Sequence, residues 1–158
     1  MGSGKSCVGR ALAELLHVPF VDLDEYIETK AGMTIPEIFD AGGEESFRAI
    51  ETEALGEVLA GAGPDRDMVL ALGGGAVIRE ENARMIARKC KCVFLRASAA
   101  TLRGRLEGGA AGRPMLRDGG FERLLTARMP AYERSADLTI DTDGLTPGRI
   151  AGEIAANI

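Results

Sequence analysis

Cysteine is scarce in this 158-residue chain, and the three present, Cys7, Cys90 and Cys92, are odd in number. They are too few for a disulfide framework. Cys90 and Cys92 flank Lys91 in a strand-like run, so alternation sends both thiols to one face. A metal site there needs further Cys or His ligands, and His17 is the only histidine. Buried or half-buried thiols in a reducing cytoplasm are the expectation. No stretch approaches the roughly 20 apolar residues of a membrane span. The Gly-Ser-Gly-Lys opening has no apolar signal-peptide core. Basic excess is absent as well: the formal net charge is −5, which argues against a general nucleic-acid binder. The reading is a cytoplasmic protein with neither nucleic acid nor membrane as a partner. Lysine is also rare. Fifteen of the nineteen cations are Arg, a bias that a GC-rich genome explains, although some Arg forks suit carboxylate or phosphate oxygens.

What is present is a foldable chain. Hydrophobic residues make up 46%, and the length fits one domain over residues 1–158. Such a domain buries roughly two-thirds of its unfolded surface. Apolar spacing predicts helices over 6–16, 24–31, 45–59, 80–89, 98–106 and 121–135. Gly32 stops the second. Thr34, Pro36 and Glu37 open a further short helix with a capping box, and Gly42-Gly43 ends it. Thr146-Pro147 starts the last helix. Strand runs fall at 18–22, 68–72, 90–95 and 138–140. Helices alternating with strands predict a three-layer α/β/α fold with a central parallel sheet. Two segments break the alternation: the helical stretch 24–59, and the Gly-rich tract 107–120. Ligands of such sheets sit outside the carboxyl ends of the strands, so the first is a candidate substrate-binding segment and the second a mobile lid.

Gly2-Ser3-Gly4-Lys5-Ser6 is the second half of the phosphate loop G-x-x-x-x-G-K-[ST]. Loop and helix N–H groups of Gly2 to Cys7 face phosphates, Lys5 reaches the β/γ oxygens, and the Ser6 hydroxyl ligates Mg²⁺. The first Gly of the pattern falls five residues before Gly4, ahead of Met1, and the strand that feeds the loop falls there too. That strand is central in a doubly wound sheet. Its loss leaves unpaired backbone groups on both neighbours, at roughly 1–3 kcal/mol for each buried one. The expectation is an N-terminal truncation, with about eight to ten apolar residues ending in Gly encoded upstream.

Asp22-Leu23-Asp24 follows at the end of the first strand run, with both carboxylates on one side of an extended chain. One suits a Mg²⁺ shell and the other a hydroxyl nucleophile. Helix capping by Asp24 is compatible with either.

With the motifs that come after, the chain resembles shikimate kinases along its whole length. The resemblance rests on Gly-Ser-Gly-Lys-Ser, Asp22-x-Asp24, Phe47-Arg48-x-Ile50-Glu51, Leu72-Gly73-Gly74-Gly75, Arg113-Pro114-Met115-Leu116 and Arg128-x-x-x-Tyr132, in this order and spacing. It implies a P-loop kinase fold and transfer of the γ-phosphoryl of ATP to the 3-hydroxyl of shikimate, a step of aromatic amino acid biosynthesis. It implies that Lys5 binds phosphate, that Ser6 and Asp22 form the Mg²⁺ shell, and that Asp24 binds substrate hydroxyls and acts as base. Arg48 and Arg128 would grip the shikimate carboxylate, Gly74 and Gly75 would meet substrate through their backbone, and Arg113 would close on the phosphates. Arg105 stands near the place of a second nucleotide-side Arg, one residue further from Arg113 than the family spacing. A monomer is implied.

The chemistry agrees with these roles, since planar Arg forks suit a carboxylate and a closing lid excludes water. The departures are Cys7 in place of a Thr, Ala71 in place of a hydroxyl residue, and no Arg within Asp141-Thr142-Asp143-Gly144. His17 reads as a helix-end residue, Tyr26 and Tyr132 as packing, and Glu44 and Glu45 as the start of a helix. The rival readings are a gluconate or nucleoside monophosphate kinase, and a non-catalytic P-loop binding module.

Overall fold

The computed structural model describes residues 2–63, 66–107 and 120–158. Its elements run α1 (Lys5–Leu16), β1 (Phe20–Asp22), α2 (Leu23–Ala31), α3 (Ile35–Gly61), β2 (Val69–Ala71), a short 3-10 turn (Ala76–Ile78), α4 (Glu80–Lys89), β3 (Val93–Arg96), α5 (Ala99–Glu107), α6 (Gly120–Ser135), β4 (Leu138–Asp141) and α7 (Pro147–Ala155). The fold is α/β with parallel strands, as the alternation predicts. The expected lid falls almost wholly outside the described residues, Arg113 included.

The strands form two parallel pairs. In one, Phe20, Val21 and Asp22 face Val69, Leu70 and Ala71. In the other, Val93 to Arg96 face Leu138 to Asp141. Among the described residues no ladder joins β2 to β3, so the single central sheet of the sequence reading is divided.

Two apolar cores hold the molecule. Leu23, Ile27, Ile38, Phe47, Leu55 and Ile86 bury together beneath the first pair. Val8 and Leu12 of α1 meet Ile140, Ile150 and Ile154 in the second. Val69 of β2 and Val93 of β3 both pack on this second core, so α1 and α7 join what the backbone leaves apart.

Local chemistry explains the helix limits. The predicted capping box is present: Thr34 Oγ1 accepts from the Glu37 N–H, and the Glu37 carboxylate accepts from the Thr34 N–H at 2.7 Å. Gly32 ends α2 at φ 63, a left-handed conformation that costs glycine little. The helix expected to stop at Gly42-Gly43 continues as one span broken at Gly43, with φ 72 and ψ −175. Phe39 and Phe47 stack across that break, centroids 4.7 Å apart. His17 terminates α1 at φ 56, the helix-end role predicted for it. The strand expected from Cys90 starts at Val93 instead. Cys90 caps α4, and the Cys92 N–H donates to the Asp137 carboxylate at 2.7 Å. Both thiols pack on the first core, and burial pushes Cys92 up to about 11. No helix among the described residues is long and apolar enough to cross a membrane.

Candidate active site

The site lies at the carboxyl ends of the strands, where an open α/β sheet places its ligands. At its centre, α1 begins at Lys5 after Gly4, whose φ of 85 admits no ordinary side chain. The first turn carries no acidic residue. Its N–H groups and positive dipole end are therefore free for phosphate.

Asp22, at the end of β1, is 6% exposed and ties two elements together. Its Oδ2 accepts from the Ser6 hydroxyl at 2.6 Å, and its Oδ1 accepts from the Asp24 N–H at 3.0 Å. Asp22 is thus the cap of α2, not Asp24 as the sequence suggested. Capping leaves the Asp24 carboxylate free to turn inward. Its Oδ2 is 3.6 Å from Lys5 Nζ, with both side chains about one-third exposed.

The three glycines after β2 form the opposite wall. A Cβ on Gly73 would lie 2.7 Å from Asp24 Oδ1 and 3.4 Å from Glu51 Oε1. A Cβ on Gly75 would overlap the Arg48 guanidinium, 2.6 Å from Cζ. Glycine is required here because charged side chains lie directly on the backbone. The Gly74 carbonyl accepts from the Tyr132 hydroxyl at 2.6 Å.

Arg48 projects from α3 onto this turn. Its Nη1 donates to Glu51 Oε2 at 2.7 Å, and its Nη2 lies 3.6 Å from Glu44 Oε1. Glu51 is 1% exposed. Burial pushes its carboxyl above the ordinary range, opposed by Arg48 and, more weakly, by Arg128. Arg128 lies on α6 beside Phe121, Leu124, Leu125 and Tyr132 around a small cleft. The group therefore runs from Lys5 and the Asp24 carboxylate at one end to Arg48 and Arg128, which both act on Glu51, at the other.

A family model described as shikimate kinase matches residues 1–158. The chain belongs to the shikimate kinase family. A shikimate kinase of Dictyoglomus turgidum is 40% identical over 98% of this chain and 90% of its own. One from Bradyrhizobium diazoefficiens is 44% identical over 97% of this chain and 73% of its own. The structure of the Acinetobacter baumannii shikimate kinase in complex with shikimate superposes with a TM-score of 0.85. It is 35% identical and covers 98% of this chain and 86% of that one.

Of the expected site residues, Lys5, Ser6, Asp22 and Asp24 are joined by direct contacts, Arg48 lies against Gly75, and Arg128 stands on α6. Cys7 is exposed in the first turn of α1. Arg113 lies outside the described residues. Arg105, which the spacing to Arg113 left uncertain, turns to the phosphate loop. It donates to the carbonyls of Ser3 at 3.1 Å and Gly2 at 3.4 Å, and to that of Thr142 at 3.3 Å. Two residues, Glu51 and Gly73, went unassigned in the sequence, and Tyr132 was read as packing alone. Glu51 anchors Arg48, Gly73 gives Asp24 its place, and Tyr132 bonds the glycine turn as well as packing on Phe94, centroids 5.4 Å apart. Their signal was membership of the same short motifs.

Proposed function

We propose that this chain transfers the γ-phosphoryl group of ATP to the 3-hydroxyl of shikimate, giving shikimate 3-phosphate and ADP. One observation carries the reading: Asp24 stands 3.6 Å from Lys5 and shares a three-glycine wall with Arg48. A hydroxylated acid held there by its carboxylate on Arg48 and Arg128 presents a hydroxyl to Asp24, next to the phosphate loop.

The chemistry follows from the groups in place. The acceptor oxygen bonds to the γ-phosphorus, the bond to the ADP oxygen breaks, and Asp24 takes the hydroxyl proton. Lys5 and the loop N–H groups neutralise charge on the phosphoryl oxygens. The Ser6 hydroxyl and the Asp22 carboxylate, 2.6 Å apart, fit a Mg²⁺ ion, which takes few protein oxygens and keeps waters. When bound with nucleotide, that ion screens the phosphate charge. Residues 24–59 supply Asp24, Arg48 and Glu51 and serve as the substrate-binding segment.

The test is ADP release by the purified protein with MgATP, with and without shikimate, and with gluconate as the rival acid. Turnover that requires shikimate, with phosphorus NMR showing a phosphomonoester on the 3-oxygen, is the expected result. A folded protein that binds ATP but phosphorylates neither acid would make it a binding module. Turnover with gluconate alone would move the reading to another sugar-acid kinase.

A further inference from the structure

Tyr132 sits one helical turn beyond Arg128 on α6, so the two side chains share a face. Its hydroxyl donates to the Gly74 carbonyl at 2.6 Å across 58 residues of sequence. The next residue, Gly75, lies directly against the Arg48 guanidinium. Arg48 is also held by Glu51. The two Arg residues thus reach the site on different elements, and they have no direct bond to fix their spacing. Tyr132 is a polar link between those elements: it joins the helix that carries Arg128 to the turn on which Arg48 rests.

We propose that Tyr132 is a positioning residue, whose hydroxyl sets the separation of Arg48 and Arg128 and so tunes the clamp for a single carboxylate. The inference rests on the shikimate-kinase reading. A bidentate Arg contact is directional, and its energy falls when the fork is misplaced. Without the hydroxyl, α6 keeps its seat through the aromatic contact of Tyr132 with Phe94. The Gly74 carbonyl loses its partner, however, and the distance from the glycine turn to Arg128 is no longer fixed by a hydrogen bond. The effect belongs to the acid substrate and not to ATP, because the bond joins the turn under Arg48 to the helix of Arg128 and involves no phosphate-loop residue.

The test is Tyr132→Phe, which retains the ring. Steady-state kinetics would be run on wild type and variant with shikimate and with its uncharged methyl ester, beside thermal melting. The expected result is an approximately tenfold rise in KM for shikimate, with kcat, the KM for ATP and the melting temperature little changed. The ester, which has no carboxylate to clamp, should show the same KM in both proteins. An equal loss for acid and ester would overturn the proposal, as would an unchanged KM for shikimate or a loss confined to kcat with a lowered melting temperature. Failure of the wild type itself to use shikimate would remove the functional reading, and the proposal with it.

Discussion

Replacing Gly75 with Ala places one methyl group where the Arg48 guanidinium now lies. The new carbon would sit 2.6 Å from Cζ. Ordinary carbon contacts are about 3.5–4.0 Å, so something must retreat by roughly 1 Å. The turn is pinned by Tyr132, and the free end of an arginine moves more readily than the backbone. Arg48 is held at 2.7 Å from Glu51, and a shift of about 1 Å takes that contact past hydrogen-bonding range. Glu51 is then a buried carboxyl with a weakened partner, and it can take up a proton in place of the ion pair. The expected loss of stability is therefore about 1–3 kcal/mol, below the roughly 3–5 kcal/mol of a broken buried pair. That corresponds to a melting-temperature drop of roughly 2–12 °C for a domain of this size. Binding suffers more, because a misplacement of about 1 Å in a positioning group costs on the order of 100-fold. Thermal melts and the KM for shikimate at saturating ATP check both parts. A Gly75→Ala protein with a KM within about twofold of wild type would refute the reasoning, since Arg48 would then have no need of its present position.

Other outcomes follow from the same geometry. Glu51 has its carboxyl raised by burial. It favours the folded state most below the ordinary Glu pKa of about 4.3, and that contribution is lost as pH rises through its higher folded-state value. Arg48 needs the ionised form, so the KM for shikimate should rise as pH falls through the same window. Glu51→Gln should abolish that limb in a KM-against-pH profile. Asp24→Asn should lower kcat by about 10²- to 10⁴-fold in the ADP-release assay while ATP binding, followed by calorimetry, persists. Gly43→Ala should destabilise by about 1–3 kcal/mol in urea unfolding, because φ 72 with ψ −175 is a region essentially confined to glycine.

The apolar positions of α1, α2 and α4 were legible because each helix buries one stripe, and α7 was legible from the Thr146 cap and Pro147 at its start. Thr34 and Glu37 announced their capping box for the same reason. Asp22 misled because an Asp-x-Asp pair offers two possible caps, and only the seating of α2 against Ser6 chooses between them. Glu51 was unreadable as an anchor, since a glutamate is ordinarily a surface residue and its burial depends on Arg48 and Gly73 arriving from elsewhere. The partner of Tyr132 is 58 residues away, beyond any local pattern. The strand at Cys90 was placed early because two half-buried thiols mimic strand alternation, whereas pairing with β4 begins only at Val93.

The helix that carries Lys5 and Ser6 also packs on both strand pairs. It touches β1, β2 and α7, and its Val8 and Leu12 share a core with Ile140 of β4. Nucleotide bound at its N-terminus acts on the keystone and not on one flank. Its binding energy is therefore shared by both halves, and amides in β1 and in β4 should gain protection from hydrogen exchange together when ATP is added.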